Sequence, residues 1–392
     1  MQSSQLYKDK NISQIPTPAY VVYEDKLRDN LEKLRRTQKE CGVKIIMALK
    51  ANALWKTFPI IREYFNSSTA SSINEMRLAL DYLGNDIHAY CPVYTPETFK
   101  EFLNGCTHIT FNSLKQFEKF LPQAKEFEKK TGKHVSLGLR VNPKCSVIDV
   151  DLYNPAVAGS RFGVTSDKMP ETLPEGLEGI HFHTLCESGA EELEKVLKKF
   201  EEDFGKFLPG LKWVNFGGGH LITRKDYNTD LLCEIITDFR SRYPHLEVIL
   251  EPGSAFTWQT GDLIVEVLDI TEDEGIKTAI IDASFACHMP DCLEMPYKPH
   301  IAEALPDDSV SGFEYRLGGN TCLTGDYVGT WKFEKPLEAG NRLTLLDMNH
   351  YTTVKTHMFN GVAHPSFWLV NSNGDTHLLR EFKYEDYRDR MD

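Results

Sequence analysis

Four short stretches each end an apolar run on residues that can do chemistry. KIIMALK ends on Lys50, EGIHFHT contains His181-Phe182-His183, WVNFGGG ends on Gly217, Gly218 and Gly219, and EVILEPG carries Glu251 before Pro252 and Gly253. A lysine kept from water can act as a Schiff-base nucleophile. Successive glycines let backbone N–H groups come close to a phosphate. An aromatic ring can stack on a heterocycle, and a carboxylate can hold a ring nitrogen protonated. Together these four features describe a site for pyridoxal phosphate, whose pyridinium ring serves as an electron sink. Each has a blander reading by itself: a solvated charge, a plain turn, a packed pair. His181 and His183 are also spaced as a metal pair, because i and i+2 side chains share one face of a strand. Their coincidence at the ends of apolar runs, in a fitting order, is what favours the cofactor.

The elements that must carry these residues can be read from periodicity. Eight strand-like runs alternate with amphipathic helical stretches between about residues 20 and 255: KIIMALK, NSSTASS, DIHAYCP, HITFNS, VSLGLRVNP, EGIHFHT, WVNFGGG and EVILEPG. Helix starts are marked by the capping-box spacing of Ser72-Ile-Asn-Glu75 and by Pro96 after Thr95. Eight βα units in series predict a parallel (β/α)8 TIM barrel, with its active site at the C-terminal ends of the strands. NSSTASS, short and polar, is the weakest of the eight. After Gly253 the pattern changes to DLIVEVLDI, IKTAIIDAS, FEYRLGG, NRLTLLDM and SFWLVNS, strands separated by turns, which predicts a mostly antiparallel β domain. TPAYVVYEDKL reads as a strand that pairs with it. The expected division is a barrel over 23–257 and a β domain from 1–22 plus 258–392.

Bulk composition narrows the function. The chain has 392 residues, 41% hydrophobic and 26% charged, with a formal net charge of -13. That is too long for one ordinary core. No apolar run reaches the roughly 20 residues that cross a membrane, and MQSSQLYKDKNISQIP has no apolar h-region of a secretory signal. The acidic balance and the lack of a basic patch speak against nucleic acid. Nine cysteines, an odd number without a CxxC pair, predict reduced thiols in a cytoplasm.

With ALKAN, SRFGV, HFHTLCE, FGGGH, EPGSA, HMPDCLEMPY, GGNTCLTGD and LLDMNHYT in place, the chain resembles the alanine-racemase-like, fold-type III pyridoxal phosphate decarboxylases, over nearly its whole length. HTLCES and ACHMPDCLEMPYKP make it most similar to the carboxynorspermidine/carboxyspermidine branch. The resemblance implies that Lys50 bonds the cofactor and that His183 stacks on its ring. It further implies that Gly217, Gly218 and Gly219 form the phosphate loop, that Glu251 faces the ring nitrogen, and that Tyr351 lies near the phosphate. Cys322 and Asp326 match residues that reach the site from the second subunit of a homodimer, with Cys322 as proton donor to Cα. Asp291 and Glu294 align with the family's substrate-side acid, and with Asp326 and Glu251 they make up the expected substrate contacts. The implied partner is a small-molecule polyamine.

Two departures bear on the substrate. Relatives acting on diaminopimelate and ornithine usually read EPGR, whereas Ser254 follows here; and Thr184-Leu185-Cys186-Glu187 replaces the usual glycine-serine turn after the stacked histidine. Both weaken the case for a substrate with a second carboxylate. The rival readings are another amino-acid decarboxylase of the same fold, a metal-dependent barrel hydrolase using His181 and His183, and a non-catalytic cofactor carrier. The roles of Cys186, Glu187, His288 and Arg161 are left open by the sequence.

Overall fold

The computed structural model describes residues 11–148 and 150–392. The first ten positions, which include most of the segment read as lacking a secretory signal and part of the expected 1–22 portion of the β domain, lie outside the described residues. The chain divides into two compact units: Asp29–Phe256, and Thr257–Asp392 together with the described residues up to Arg28.

The Asp29–Phe256 unit is a parallel barrel. Strand β1 (Ala19–Tyr23) belongs to the other unit. The barrel uses β2 (Lys44–Ile45), β3 (Met47–Ala48), β4 (Ser67–Ala70), β5 (Asp86–Tyr90), β6 (His108–Phe111), β7 (Ser136–Arg140), β8 (Gly179–His181), β9 (Trp213–Asn215) and β10 (Glu247–Leu250). All neighbours pair in parallel, in the order β2-β10-β9-β8-β7-β6-β5-β4-β3. Strands β2 and β3 are two halves of KIIMA, divided at Ile46 and pairing with β10 and β4 respectively. Ile46 donates its N–H to the Leu250 carbonyl at 3.0 Å. The nine-strand order is therefore the eight runs of the sequence closed on themselves, the first strand splitting to meet both neighbours. NSSTASS supplies β4 despite its polarity, since both its neighbours cover its backbone.

Trp213 fills the barrel. A Cβ on Gly138 of β7 or Gly179 of β8 would lie 2.3 or 2.0 Å from its ring, so glycine on those strands makes room for one large side chain. The indole N–H donates to Ser136 Oγ at 2.8 Å. Near the strand starts, Lys44 Nζ lies 2.8 Å from Asp86 and 3.2 Å from His88 Nε2, and the rings of His88 and His108 stack at 3.8 Å. Asp86, His88 and His108 have the donor types of a metal site, but the Lys44 ammonium already supplies the positive charge at that carboxylate.

The helix starts follow the sequence signals. Ser72 caps the helix Ile73–Tyr82, accepting from the Glu75 amide, while the Glu75 carboxylate accepts from Ser71 N rather than from the cap itself. Thr95 caps Pro96–Gly105 with proline in the first turn. One cysteine expectation is corrected: Cys41, at the end of helix Glu24–Cys41, is disulfide-bonded to Cys233 of helix Thr229–Arg242, and seven other cysteines are free. The pair lies 192 positions apart, so cysteine spacing held no sign of it.

The second unit is a mixed sheet. It adds β11 (Gly261–Asp273), β12 (Ile276–Ile281), β13 (Phe313–Gly318), β14 (Tyr327–Phe333), β15 (Arg342–Leu345), β16 (Ser366–Val370) and β17 (Thr376–Arg380) to β1. The order is β14-β13-β12-β11-β1-β16-β17, with β15 also on β11. The β1–β16 and β12–β13 pairs are parallel and the other five antiparallel. TPAYVVYEDKL does supply a strand of this sheet. Among the described residues no helix is long and apolar enough to cross a membrane.

Candidate active site

The barrel brings together Lys50, His183 and Glu251, each within two residues of the C-terminal end of a strand, and Gly217–Gly219, which follow the end of β9 at Asn215. Lys50 stands in a turn fixed from both sides. Ala48 N donates to Pro252 O at 3.2 Å, Leu49 N to Thr69 O at 3.3 Å, and Ala51 N to Ala48 O at 3.2 Å. A Cβ on Gly253 would meet the Ala51 methyl at 2.6 Å, so the EPG turn packs directly against the lysine's neighbours. Lys50 keeps accessible surface, yet protein surrounds its ammonium as densely as in the interior. The side chain is accessible while its ammonium is closely surrounded by protein, and that crowding governs its charge. Burial, then the Arg140 guanidinium, lowers its pKa below the ordinary lysine value, against the weaker pull of Glu251. A larger share of reactive free amine follows.

His183 is held as a flat, neutral ring. The Gly218 amide donates to its Nδ1 at 2.9 Å, so that nitrogen carries no proton. Burial, then Lys50 and Arg140, pushes its pKa well below the usual histidine range. Glu251 is 6% exposed. Asn215 Nδ2 donates to its Oε1 at 2.7 Å, and its Oε2 lies 3.5 Å from His181 Nε2. Burial raises its pKa, with Asn215 opposing. His181 is buried, and among the described residues neither ring nitrogen has a hydrogen-bond partner.

In the glycine loop two of the three amides are already engaged within the protein. Gly217 N donates to Asn215 Oδ1 at 2.8 Å and Gly218 N to His183. Among the described residues Gly219 N donates to nothing. Gly219 has φ +90, and a Cβ there would lie 2.3 Å from the Leu185 carbonyl. Only glycine lets the loop lie backbone against backbone on the Leu185–Ser188 segment, where Ser188 N donates to Gly219 O at 2.7 Å. This is the place of the HTLCES departure: that segment braces the loop.

Arg140 was missed by the sequence reading. Its guanidinium lies 4.6 Å from the ring centres of both Tyr90 and Phe162 and donates to the His183 carbonyl at 3.1 Å. The available signal was one arginine at the end of a five-residue strand buried throughout. Arg161 lies over Phe162 at 4.3 Å.

The other predicted residues belong to the sheet unit. Asp291 and Glu294 open and close the short helix Asp291–Glu294, and both pair with the Lys355 ammonium. Tyr351 has φ +25, a strained value for a residue with a side chain. Cys322 is exposed, its amide donating to Asn360 Oδ1 at 2.8 Å. Asp326, expected at a substrate amine, is buried and accepts from Ser284 Oγ at 2.8 Å, Ala286 N at 3.0 Å, Thr321 Oγ1 at 2.6 Å and Thr321 N at 3.3 Å. A carboxylate has about four lone-pair sites, so these contacts occupy it. Asp326→Ala is expected to lower stability by roughly 3 kcal/mol, since it strands several buried donors; urea denaturation of the whole chain measures this, and a change under about 0.5 kcal/mol would refute it. His288 is buried and accepts from Ser284 N through Nδ1 at 3.0 Å.

A profile described as pyridoxal-dependent decarboxylase, C-terminal sheet domain, matches residues 20–349. The chain belongs to the pyridoxal-dependent decarboxylase family. It is 43% identical to the carboxyaminopropylagmatine decarboxylase of Synechocystis sp., covering 98% of each chain. It is 41% identical to the carboxynorspermidine/carboxyspermidine decarboxylase of Campylobacter jejuni, covering 95% of this chain and 98% of the relative. The crystal structure of the Campylobacter jejuni carboxynorspermidine decarboxylase complexed with norspermidine superposes with a TM-score of 0.86 at 40% identity, covering 96% of this chain and all of that one. The protein is thus a pyridoxal phosphate-dependent decarboxylase. The residues at the strand ends fit that cofactor. They offer a desolvated amine, a neutral flat ring, a buried carboxylate and an uncommitted loop amide. The cluster of His181, His183 and Glu251 also has the donor types of a metal site.

Proposed function

We propose that this enzyme removes the α-carboxylate of carboxyspermidine or carboxynorspermidine, releasing spermidine or norspermidine. The observation that carries the reading is the near-full-length 41% identity to a relative named for both substrates. A second reading has its own support: the relative at 43% identity is named for carboxyaminopropylagmatine, whose distal group is a guanidinium. Two neighbouring carboxylates such as Asp291 and Glu294 suit either cation, since a planar guanidinium can be held by paired oxygens.

In this reading Lys50 holds the cofactor through Nζ, and the neutral face of His183 lies against its ring. Gly219 N and the Tyr351 side chain meet its phosphate, with Gly217 and Gly218 shaping the loop. When bound, pyridoxal phosphate supplies the conjugated ring that accepts the electron pair left on Cα as CO2 departs. Glu251 keeps the proton on the ring nitrogen and faces the substrate side. Cys322 returns a proton to Cα. Asp291 and Glu294 bind the distal amines. The four donors on Asp326 support a role in holding the loop of Cys322 in place of its expected contact with substrate. We further infer a cytoplasmic homodimer in which Cys322, on the loop that Asp326 holds, serves the neighbouring subunit's barrel, as the family resemblance implies.

A CO2-release assay with carboxyspermidine, carboxynorspermidine, carboxyaminopropylagmatine, ornithine and meso-diaminopimelate tests this. Turnover of a carboxylated polyamine is expected to exceed that of ornithine and diaminopimelate by about 100-fold or more in kcat/KM, since each unpaired buried acid costs about 1–3 kcal/mol. Preference for carboxyaminopropylagmatine selects the second reading. Preference for ornithine or diaminopimelate rejects both.

A further inference from the structure

Lys355 occupies both of the acids assigned above to the substrate. Its ammonium pairs with the Asp291 and the Glu294 carboxylate at once. The three side chains are 35%, 13% and 45% exposed, in the order Lys355, Asp291, Glu294, so the cluster is reachable from solvent. The lysine is held by its own backbone: Lys355 N donates to the Tyr351 carbonyl at 2.8 Å. Two positions on, His357 N donates to Cys287 O at 3.0 Å, tying the lysine's segment to the helix Phe285–His288 just before Asp291. The cation is therefore presented to the acids by a braced segment.

The chemistry of the contact is that of the substrate. A lysine side chain ends in a primary ammonium on a four-carbon stem, the same group on nearly the same spacer as an aminobutyl polyamine arm. With Lys355 in place the acid pair carries a net charge of -1 instead of -2. An arriving ammonium then either shares the pair with Lys355, close to a like charge, or displaces it. Both routes weaken binding relative to a bare pair.

We propose that Lys355 is a specificity-determining residue: an internal amine that occupies the Asp291–Glu294 pair and competes with the distal amine of the substrate. The proposal depends on the assignment of that pair to the substrate. It also explains how two neighbouring acids are tolerated before substrate binds, since the lysine screens their mutual repulsion.

The test compares wild type, Lys355→Met, Lys355→Gln and Lys355→Arg as holoenzymes. Spermidine binding is measured by titration calorimetry, and carboxyspermidine turnover by CO2 release. Lys355→Met and Lys355→Gln are expected to bind spermidine about 10-fold more tightly, with the gain appearing in KM and not in kcat. Lys355→Arg, which keeps the charge, is expected to stay near wild type. Equal or weaker spermidine binding by both neutral variants overturns the inference, as does a gain in the arginine variant equal to theirs. These outcomes are separate from the substrate reading, which stands or falls on wild-type turnover of carboxyspermidine. Should neither wild type nor the neutral variants bind spermidine, the inference and the assignment of the pair fail together.

Discussion

Lys50→Met is expected to abolish CO2 release, lowering kcat by on the order of 10^4-fold or more, as loss of a covalent catalytic group does. The same change is expected to leave the cofactor-free chain at least as stable as wild type. The physical reason is the crowding of protein around its ammonium. Burial and the Arg140 charge disfavour its ammonium, so the charged side chain weakens the fold. A lysine whose folded pKa lies below its unfolded one destabilises wherever both states are protonated. The penalty fades as pH rises from the folded value toward the ordinary 10.5. Wild-type stability should therefore gain with rising alkaline pH, and the methionine variant should lose that gain. Urea melts across alkaline pH, beside single-turnover CO2 release, measure both. Residual kcat above about 1% of wild type would remove Lys50 from the chemistry. A variant clearly less stable than wild type would mean that burial of the amine is compensated by contacts to Glu251.

Why this site was legible in the sequence, and where it was not, has a physical basis. A strand inside a closed parallel barrel is covered on both faces, so the runs, NSSTASS apart, were apolar, and those carrying Lys50, His183 and Glu251 ended visibly on them. Lys50, His183 and Glu251 stood out for that reason. Arg140 did not, because a strand-end arginine reads as a solvated charge until its contacts with Tyr90, Phe162 and the His183 carbonyl are known. The triple glycine was read as a phosphate loop, and the internal partners of its amides were not legible: two of them serve Asn215 and His183. Hydrogen bonds between distant segments leave no periodic trace.

The sheet unit was harder for a related reason. Strands β14 and β17 were not anticipated. The first carries Gly329 at φ +55 in its middle, and the second is mostly exposed; neither shows a clean alternation of apolar and polar residues. The pairing of Lys355 with Asp291 and Glu294 spans more than 60 positions. From sequence those acids looked like a loop awaiting a cation, whereas the chain supplies one itself.

Glu251→Gln is expected to lower kcat by about 10^2–10^3-fold, the usual scale for losing one preorganised electrostatic contact at a reacting group. The substitution is nearly isosteric. The Gln carbonyl can still accept from Asn215 Nδ2, which holds Glu251 Oε1 at 2.7 Å, and its NH2 would face His181 Nε2, now 3.5 Å from Oε2. Shape and packing are retained, and what disappears is the negative charge that, in the proposed function, keeps the ring nitrogen protonated. Cofactor affinity should fall far less than kcat, because Lys50, the His183 face and the loop amide remain. Stability separates a charge effect from a folding defect. Burial raises the Glu251 pKa, and a carboxyl raised in the fold weakens it at pH above the folded value, with no penalty once both states are protonated. The glutamine variant should accordingly match or exceed wild-type stability at neutral pH, with the difference shrinking as pH falls below the ordinary carboxyl range. A less active, equally stable, cofactor-loaded enzyme is the expected result. A kcat within fivefold of wild type would show that the carboxylate charge does not hold the ring proton, and the electron sink would then need another partner among the residues at the strand ends.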